Sequence, residues 1–327
     1  MRAACYEKIG PASDVLKLEE LASAEPGAGE VRVRVHCSGV NPSDAKTRGG
    51  ARGAMKFPRI VPHSDGAGVI DAVGPGVTER VPGERVWIWN GAWGRADGTA
   101  AEYITLPAEQ TAPLPAGTSM AAGACLGIPA LTACHAVVCH GGVRDQRVLV
   151  TGGAGAVGSC AIQIARAEGA RQIIATVSSP EKARLALADG ADATIDYRRE
   201  DVGERVQALT DGEGVERVIE VDLAANAAAS IAALRQGGLI VAYGSGAPEA
   251  ALPFFPAILN NVQVQFFIVY NLPEDARRTA IDHVQTLLER GALDLRIAAR
   301  LPLERIVEAH EQVESGTAMG NVVLDID

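Results

Sequence analysis

The residues best able to do chemistry lie in one run. Arg147-Val148-Leu149-Val150-Thr151 has strand character and leads into Gly152-Gly153-Ala154-Gly155-Ala156-Val157-Gly158, after which Ser159 to Arg166 reads as a helix. Strand, glycine turn and helix are the context that a dinucleotide fingerprint requires. In Gly153-x-Gly155-x-x-Gly158 the first glycine permits the tight turn. The second lets the backbone approach a pyrophosphate, and the third lets helix and strand pack closely. The helix N-terminus then offers N–H donors and the positive end of its dipole to phosphates. With 36 glycines in 327 residues the bare pattern carries little weight; the flanking periodicities distinguish it from a small-residue turn.

The next strand, Gln172 to Val177, indicates which dinucleotide to expect. A site specific for NAD needs an acidic side chain about 20 residues past the glycines, to accept from the ribose hydroxyls. Ser178 stands at that place, and no carboxylate follows before Glu181. Two hydroxyls, Ser178 and Ser179, with the cation Lys182 suit a 2′-phosphate, so NADPH is the expected cofactor. Ser179 followed by Pro180 also reads as a helix N-cap with proline at the first helical position, and both roles can hold together.

These elements need a frame. A chain of 327 residues is long for one core and suits two domains. Its net charge of −10 argues against nucleic acid or an anionic membrane as the main partner. The start, Met1-Arg2-Ala3-Ala4-Cys5-Tyr6-Glu7-Lys8, meets charge too early for a secretory signal, and a soluble cytoplasmic protein is expected. Gln110 to Gly142 carries no Asp, Glu, Lys or Arg, but contains Pro113, Pro115 and Pro129 and is rich in Ala. It reads as a buried interdomain helix rather than a membrane span. Cys5, Cys37, Cys125, Cys134, Cys139 and Cys160 show no C-x-x-C spacing, which disfavours a disulfide framework or a zinc knuckle. Cys134-His135 with Cys139-His140 lacks a second pair of ligands nearby, so no metal is expected there.

The first hundred residues hold short, glycine-punctuated strands: the alternating Val31 to His36, then Gly68 to Gly74, Arg85 to Trp89 and Ala101 to Thr105. Such spacing suggests a partly open β-barrel. From about Ile128 strands alternate with helices, through Thr194 to Asp196, Arg217 to Glu220 and Leu239 to Tyr243, as in a doubly wound parallel sheet. A last strand, Gln265 to Val269, leads to a helix over Glu274 to Arg290; a helix over Arg305 to Val313 and a strand over Asn321 to Ile326 close the chain. Residues 1–124 and 265–327 are expected to form the barrel domain and 125–264 the nucleotide domain.

Several motifs then occur in one order. Gly39-Val40-Asn41-Pro42-Ser43-Asp44, Ser64-Asp65-Gly66-Ala67-Gly68-Val69-Ile70, Gly98-Thr99-Ala100-Ala101-Glu102-Tyr103 and Leu131-Thr132-Ala133 precede the glycine loop. The chain so resembles the zinc-independent quinone oxidoreductase, or zeta-crystallin-like, branch of the medium-chain dehydrogenase/reductase superfamily. That resemblance implies a GroES-like barrel, a Rossmann domain and a cleft between them. Zinc-dependent relatives carry a ligating Cys where this chain has Asn41, and His-Glu where it has Ser64-Asp65. They also carry a four-cysteine lobe, whereas Val77 to Asp97 contains no cysteine. His63, beside the lost ligand position, is expected to be a loop histidine bonded to backbone.

The resemblance assigns Gly153, Ala154, Gly155, Ala156, Val157 and Gly158 to the pyrophosphate and Ser178, Lys182 and Tyr197 to the 2′-phosphate. Gly244 and Ser245 run beneath the cofactor. Phe267 and Ile268, with Thr132 nearby, meet the nicotinamide amide, and Asn321 takes a cofactor position where relatives often have Lys. Asn41 and Asp44 line the barrel side. Lys46 stands where the branch often has Tyr, and is either a donor to a developing anion or, with Arg48, part of a solvated loop.

Without a Lewis acid, acceptors that are already electron-poor are favoured, so the expected activity is NADPH-dependent reduction of quinones or conjugated carbonyls. The alternatives are an enone or enoyl-thioester reductase, for which Arg48, Arg52, Lys56 and Arg59 would meet the carrier's phosphates, and a non-catalytic NADPH-binding structural or nucleic-acid-binding protein. A homodimer is expected through the last strand of the nucleotide sheet.

Overall fold

Along Val31, Val33 and Val35 every second side chain is buried, so one face of a long strand lies on a core. The computed structural model describes residues 1–326 and divides the chain into two units, Met1–Pro129 with the segment from Leu295 onward, and Ala130–Asp294. The first segment runs β1 (Arg2–Cys5), α1 (Ala12–Val15), β2 (Lys17–Glu20), β3 (Glu30–Val40), α2 (Pro42–Arg48), β4 (Asp65–Val73), β5 (Arg85–Ile88), β6 (Tyr103–Pro107), β7 (Thr111–Pro113) and α3 (Met120–Gly123). The second unit runs α4 (Leu131–Val138), β8 (Arg147–Val150), α5 (Ala156–Ala167), β9 (Gln172–Val177), α6 (Pro180–Ala188), β10 (Ala193–Asp196), α7 (Val202–Leu209), β11 (Val215–Glu220), α8 (Leu223–Ala233), β12 (Leu234–Ala242), α9 (Phe254–Leu259), β13 (Gln263–Phe266) and α10 (Glu274–Glu289). The chain returns through β14 (Ile297–Pro302), α11 (Ile306–Glu314) and β15 (Asn321–Asp325).

The first unit is built on a sheet in the order β14-β15-β3-β4-β5-β7, which forks at β3. One half of β3 (Glu30 to Arg34) pairs with β6 and the other (Cys37 to Val40) with β15, both antiparallel. Two register shifts against β4 accompany the fork, and bulges of this kind bend a strand. Val31, Val33, Ile70, Ile88, Ile104, Leu106, Val322 and Leu324 fill the core that results.

The second unit holds six parallel strands in the order β10-β9-β8-β11-β12-β13. Counted within the unit this is 3-2-1-4-5-6, with the order reversing between β8 and β11 at the place where such sheets bind ligands. All four residues of β8 are buried, as expected of a strand covered on both faces.

The structure corrects three expectations. The return to the first unit falls at residue 295 rather than 265, because β13 extends the parallel sheet and α10 packs on α4. The edge strand is Gln263–Phe266 rather than Gln265 to Val269: its pairing with β12 ends at Phe266, and Val269 and Tyr270 are buried in a turn beyond it. The uncharged stretch is not one helix, since it contains β7, α3, a wide helical turn with Pro129 inside it, and α4. No helix among the described residues is long and apolar enough to cross a membrane.

Candidate functional site

The second unit gathers most of the expected nucleotide residues at the carboxyl ends of its strands. The glycine loop is tied to β9 by Gly152 N–H donating to Thr176 Oγ1 at 3.0 Å and Gly153 N–H donating to the Thr176 carbonyl at 2.9 Å. At Gly158 an added Cβ would lie 2.2 Å from the Gly152 carbonyl oxygen and 2.9 Å from Gly153 Cα, so only glycine permits this approach. Gly155 is the N-cap of α5 and brings no capping side chain. The first-turn N–H groups of Ala156, Val157 and Gly158 therefore remain for an anion.

One strand further, Val177 pairs with Asp196, and Tyr197 N–H donates to the Val177 carbonyl at 3.2 Å. This sets Ser178 and Tyr197 side by side at the ends of β9 and β10. Ser179 caps α6 by accepting from Lys182 N–H at 3.2 Å, with Pro180 first in the helix, as the sequence predicts. Ser178 is left for other partners, and the Lys182 ammonium has no carboxylate partner among the described residues. Hydroxyls and a lone cation at the mouth of a βα turn fit a phosphate monoester.

Gly244 follows β12 in close contact with the next turn, where an added Cβ would come 2.2 Å from the Val221 carbonyl oxygen. Ser245 donates to the Ala247 carbonyl at 2.6 Å. Phe267 N–H donates to the Ala242 carbonyl at 3.2 Å, and its ring packs edge-on against His135 of α4 with centroids 4.6 Å apart. Thr132, buried one turn earlier in α4, lies on the same helix face as His135. Ile268 continues from Phe267.

The first unit holds a second polar cluster. Asn41 caps α2 in a capping box: Asp44 Oδ2 accepts from Asn41 N–H at 2.8 Å. The Asn41 side-chain amide donates to Asp65 Oδ2 at 2.9 Å, and Ile128 N–H donates to the same oxygen at 3.1 Å. Burial pushes the Asp65 carboxyl well above its usual range and raises Asp44 to about 7. The register of β15 on β3, Val322 opposite Val40, brings Asn321 to the strand end beside Asn41. Asn321 donates its side-chain amide to the Arg296 carbonyl at 2.9 Å. Lys46 is not brought to this group, since it is exposed and two residues from Asp44, on the opposite face of α2.

The loop reading of Lys46 and Arg48 is corrected. They form the last turn of a helix that the Asn41-Pro42 cap signals, and Arg48 is buried. Arg48 pairs with Glu314 and donates to the Gly10 carbonyl, while Arg59 lies 3.8 Å from Asp97, so two of the four residues of the supposed basic cluster are engaged within the protein.

His63 is also corrected: it is buried with φ +77°, and side chains rather than backbone hold it. The proton order follows from the end of the network. Thr99 Oγ1 has only an acceptor in the Asp65 carbonyl, 2.6 Å away, so it donates there and must accept from Ser38 at 2.8 Å. Ser38 Oγ then accepts from His63 Nδ1–H at 2.9 Å. This leaves His63 Nε2 bare to accept from His310 Nε2–H at 3.0 Å. His310 Nδ1 carries no proton and has no partner among the described residues. Burial holds both rings neutral, His310 down to about 3 and His63 well below its usual value. Nothing in the sequence pairs His63 with His310 across 247 residues.

Among the described residues no three His, Cys, Asp or Glu side chains are grouped to hold a metal ion.

A parallel 3-2-1-4-5-6 sheet with a glycine loop, and a β-rich unit formed by both ends of the chain, are the two parts that the medium-chain dehydrogenase frame requires. Residues 27–116 match the alcohol dehydrogenase GroES-like domain family and residues 156–286 the zinc-binding dehydrogenase family. The quinone oxidoreductase of Pseudomonas aeruginosa is 33% identical over 319 residues, covering 95% of each chain. The quinone oxidoreductase of Escherichia coli, solved in complex with NADPH, superposes with a TM-score of 0.89 at 26% identity over 100% of both chains. An NAD-dependent alcohol dehydrogenase reaches 0.90 at 32% identity, again over 100% of both chains. The chain belongs to the quinone oxidoreductase branch of the medium-chain dehydrogenase/reductase superfamily and is an oxidoreductase.

Proposed function

We propose that this oxidoreductase uses NADPH to reduce quinones or related conjugated carbonyl compounds, and that it does so without zinc. The observation that carries this reading is the end of β9. Ser178 and Tyr197 stand together there, the Lys182 ammonium has no carboxylate partner among the described residues, and no carboxylate follows β9 before Glu181 to accept from an unphosphorylated ribose. The NAD-dependent alcohol dehydrogenase reading would need that carboxylate.

Zinc independence is supported by the groups at Asn41 and Asp65. The Asn41 amide donates to the Asp65 carboxyl, which also accepts from Ile128 N–H, so both side chains are engaged with the protein, and an amide is a weak ligand for zinc. When bound, NADPH supplies a hydride from nicotinamide C4, and an acceptor already electron-poor needs no metal to take it. The amides of α5 hold the pyrophosphate. Lys182, Ser178 and Tyr197 hold the 2′-phosphate, and Gly244, Ser245, Thr132, Phe267, Ile268 and Asn321 complete the cofactor contacts. Asn41 and Asp44 are assigned to the acceptor, with Asp44 retaining its proton up to about neutral pH, whereas Lys46, on the other face of α2, has no part in it. The enoyl-thioester reading loses support with Arg48 and Arg59 engaged by Glu314 and Asp97, and the glycine loop opening α5 disfavours a purely structural role.

Turnover of a simple quinone, an enone and an enoyl thioester, each with NADPH and with NADH, tests the reading. The expected result is quinone-dependent oxidation of NADPH that survives exhaustive chelation. Activity restricted to alcohols with NAD, or abolished by a chelator and restored by zinc, would overturn it. Gly158→Ala is expected to weaken NADPH by at least about tenfold, since the new methyl must push the Gly152 carbonyl away; fluorescence titration reads this.

A homodimer is part of the proposal. β13 is the outermost strand of its sheet, and Phe254, Phe255, Ile258 and Leu259 of α9 are exposed beside it with Phe266. An unpaired edge flanked by an apolar surface of this kind invites a second copy of the chain. Phe255→Asp with Leu259→Asp is expected to convert a dimer into a monomer by light scattering; a wild-type monomer at micromolar concentration would refute the assignment.

A further inference from the structure

The carboxylate of Glu220 has no part in the assignments above, yet it sits among them. It ends β11, is wholly buried, and receives four donors from three stretches of chain. Oε1 accepts from the Thr151 hydroxyl at 3.0 Å, a proton shared with the Ile219 carbonyl at 3.1 Å, from Asp222 N–H at 2.7 Å and from the Asn226 amide at 2.8 Å. Oε2 accepts from the Ser230 hydroxyl at 2.6 Å. No cation lies among these partners; the N-terminal end of α8 is the positive pole beside it. A buried carboxyl is tolerated only when so completely bonded, and removing it would orphan the donors of Asp222, Asn226 and Ser230 and leave the Thr151 hydroxyl only the Ile219 carbonyl.

What these donors belong to gives the carboxylate its significance. Thr151 is the last residue before the glycine loop, and its Oγ1 also accepts from Val221 N–H at 2.9 Å. Asp222 in turn accepts from Gly246 N–H at 2.8 Å, and Leu223 N–H donates to the Gly244 carbonyl at 3.2 Å. Gly244 is already in tight contact with Val221. The carboxylate thus ties the root of the phosphate loop to the turn after β11, and that turn fixes the segment after β12.

We propose that Glu220 is a positioning residue for the nucleotide: it holds the glycine loop and the Gly244–Gly246 segment at the spacing that a dinucleotide spans, before the cofactor arrives. A pre-set spacing spares the cofactor the cost of ordering two loops. The inference rests on the reading that this edge takes NADPH.

The test compares cofactor affinity with stability. NADPH is titrated by fluorescence and the melting temperature is measured for the wild type, Glu220→Ala, Glu220→Gln, Thr151→Val and Val206→Ala, the last a core truncation in α7 whose side chain makes none of the network's hydrogen bonds. Thr151→Val, which keeps the shape but removes the bridge, is expected to weaken NADPH about three- to tenfold, and Glu220→Ala by more. Glu220→Gln is expected to restore affinity, because its oxygen can serve the three donors at Oε1 while Ser230 turns to accept from the new amide. Val206→Ala is expected to lower the melting temperature and leave the dissociation constant unchanged. If Thr151→Val binds NADPH as the wild type does, or if affinity merely follows melting temperature through all variants, the inference is wrong. A wild type that does not bind NADPH would instead refute the cofactor reading. Should Glu220→Ala fail to fold, Thr151→Val and Glu220→Gln still decide the matter.

Discussion

Lys182→Ala is expected to weaken NADPH binding by about 10- to 150-fold and to leave NADH binding unchanged. The range follows from the loss of one charge-assisted hydrogen bond to a phosphate, worth about 1.5–3 kcal/mol. The side chain is free to act in this way because its ammonium has no carboxylate partner among the described residues, while its backbone N–H is occupied in capping α6. Ser178→Asp is the complementary change. A carboxylate at the end of β9 would repel the 2′-phosphate and accept from a ribose hydroxyl, so preference should turn toward NADH. Steady-state kinetics with both cofactors on both variants measure the two effects. A wild type that uses NADH as readily as NADPH, with Lys182→Ala changing neither, would remove the basis for the assignment.

The second large effect is on stability in mild acid. His63 and His310 are neutral in the fold and held below the usual value of 6.5, His310 down to about 3. Once unfolded they take up protons normally below about 6.5. Stability is therefore whole above that pH and is lost as pH falls through the interval toward about 3. Each histidine contributes a slope that approaches about 1.4 kcal/mol per pH unit below about 6.5, so the pair accounts for about 3 kcal/mol between about pH 7.5 and about pH 5.5. Arg48 disfavours a charge on His310, and the nearby carboxyls of Asp44 and Asp65 are themselves raised by burial, so neither is a ready counter-ion. Glu314 is engaged with Arg48. Denaturant unfolding at about pH 7.5 and about pH 5.5, above the range where ordinary carboxylates titrate, measures the loss. The double variant His63→Leu/His310→Leu should show a much flatter profile. A wild type equally stable at both values would contradict the neutral dyad.

How much of this could be read from the chain varies with the sequence distance of the contacts involved. The glycine loop, β9 and the cap of α6 were legible because strand period, turn chemistry and capping act within a few residues. The same local signal, Asn41-Pro42 with Asp44 following, marks α2, but the glycines around it favoured a loop reading. The edge strand was placed two residues late at its start because Phe267 to Tyr270 is the most apolar run there, while pairing with β12 determined where the strand lies. The His63–His310 contact spans 247 residues and the Asn41–Asp65 contact 24, and nothing local foretells either. Glu220 escaped notice for another reason: as one carboxylate ending an apolar strand it looks like any surface acid, and only its four donors set it apart.

The insertion of one unit within the other bears on how the chain is made. β3 lies at the fork of the first sheet, yet its partner β15 begins at Asn321, and the paired residues Val40 and Val322 are 322 − 40 = 282 positions apart. At about 5–20 residues per second a ribosome needs roughly 15–60 s to travel that distance. Throughout that interval half of one edge of β3 is without its mate, whereas the parallel sheet, being continuous in sequence, is complete well before synthesis ends. The unit begun first is thus finished last, and a nascent chain is most open to mispairing along Cys37 to Val40.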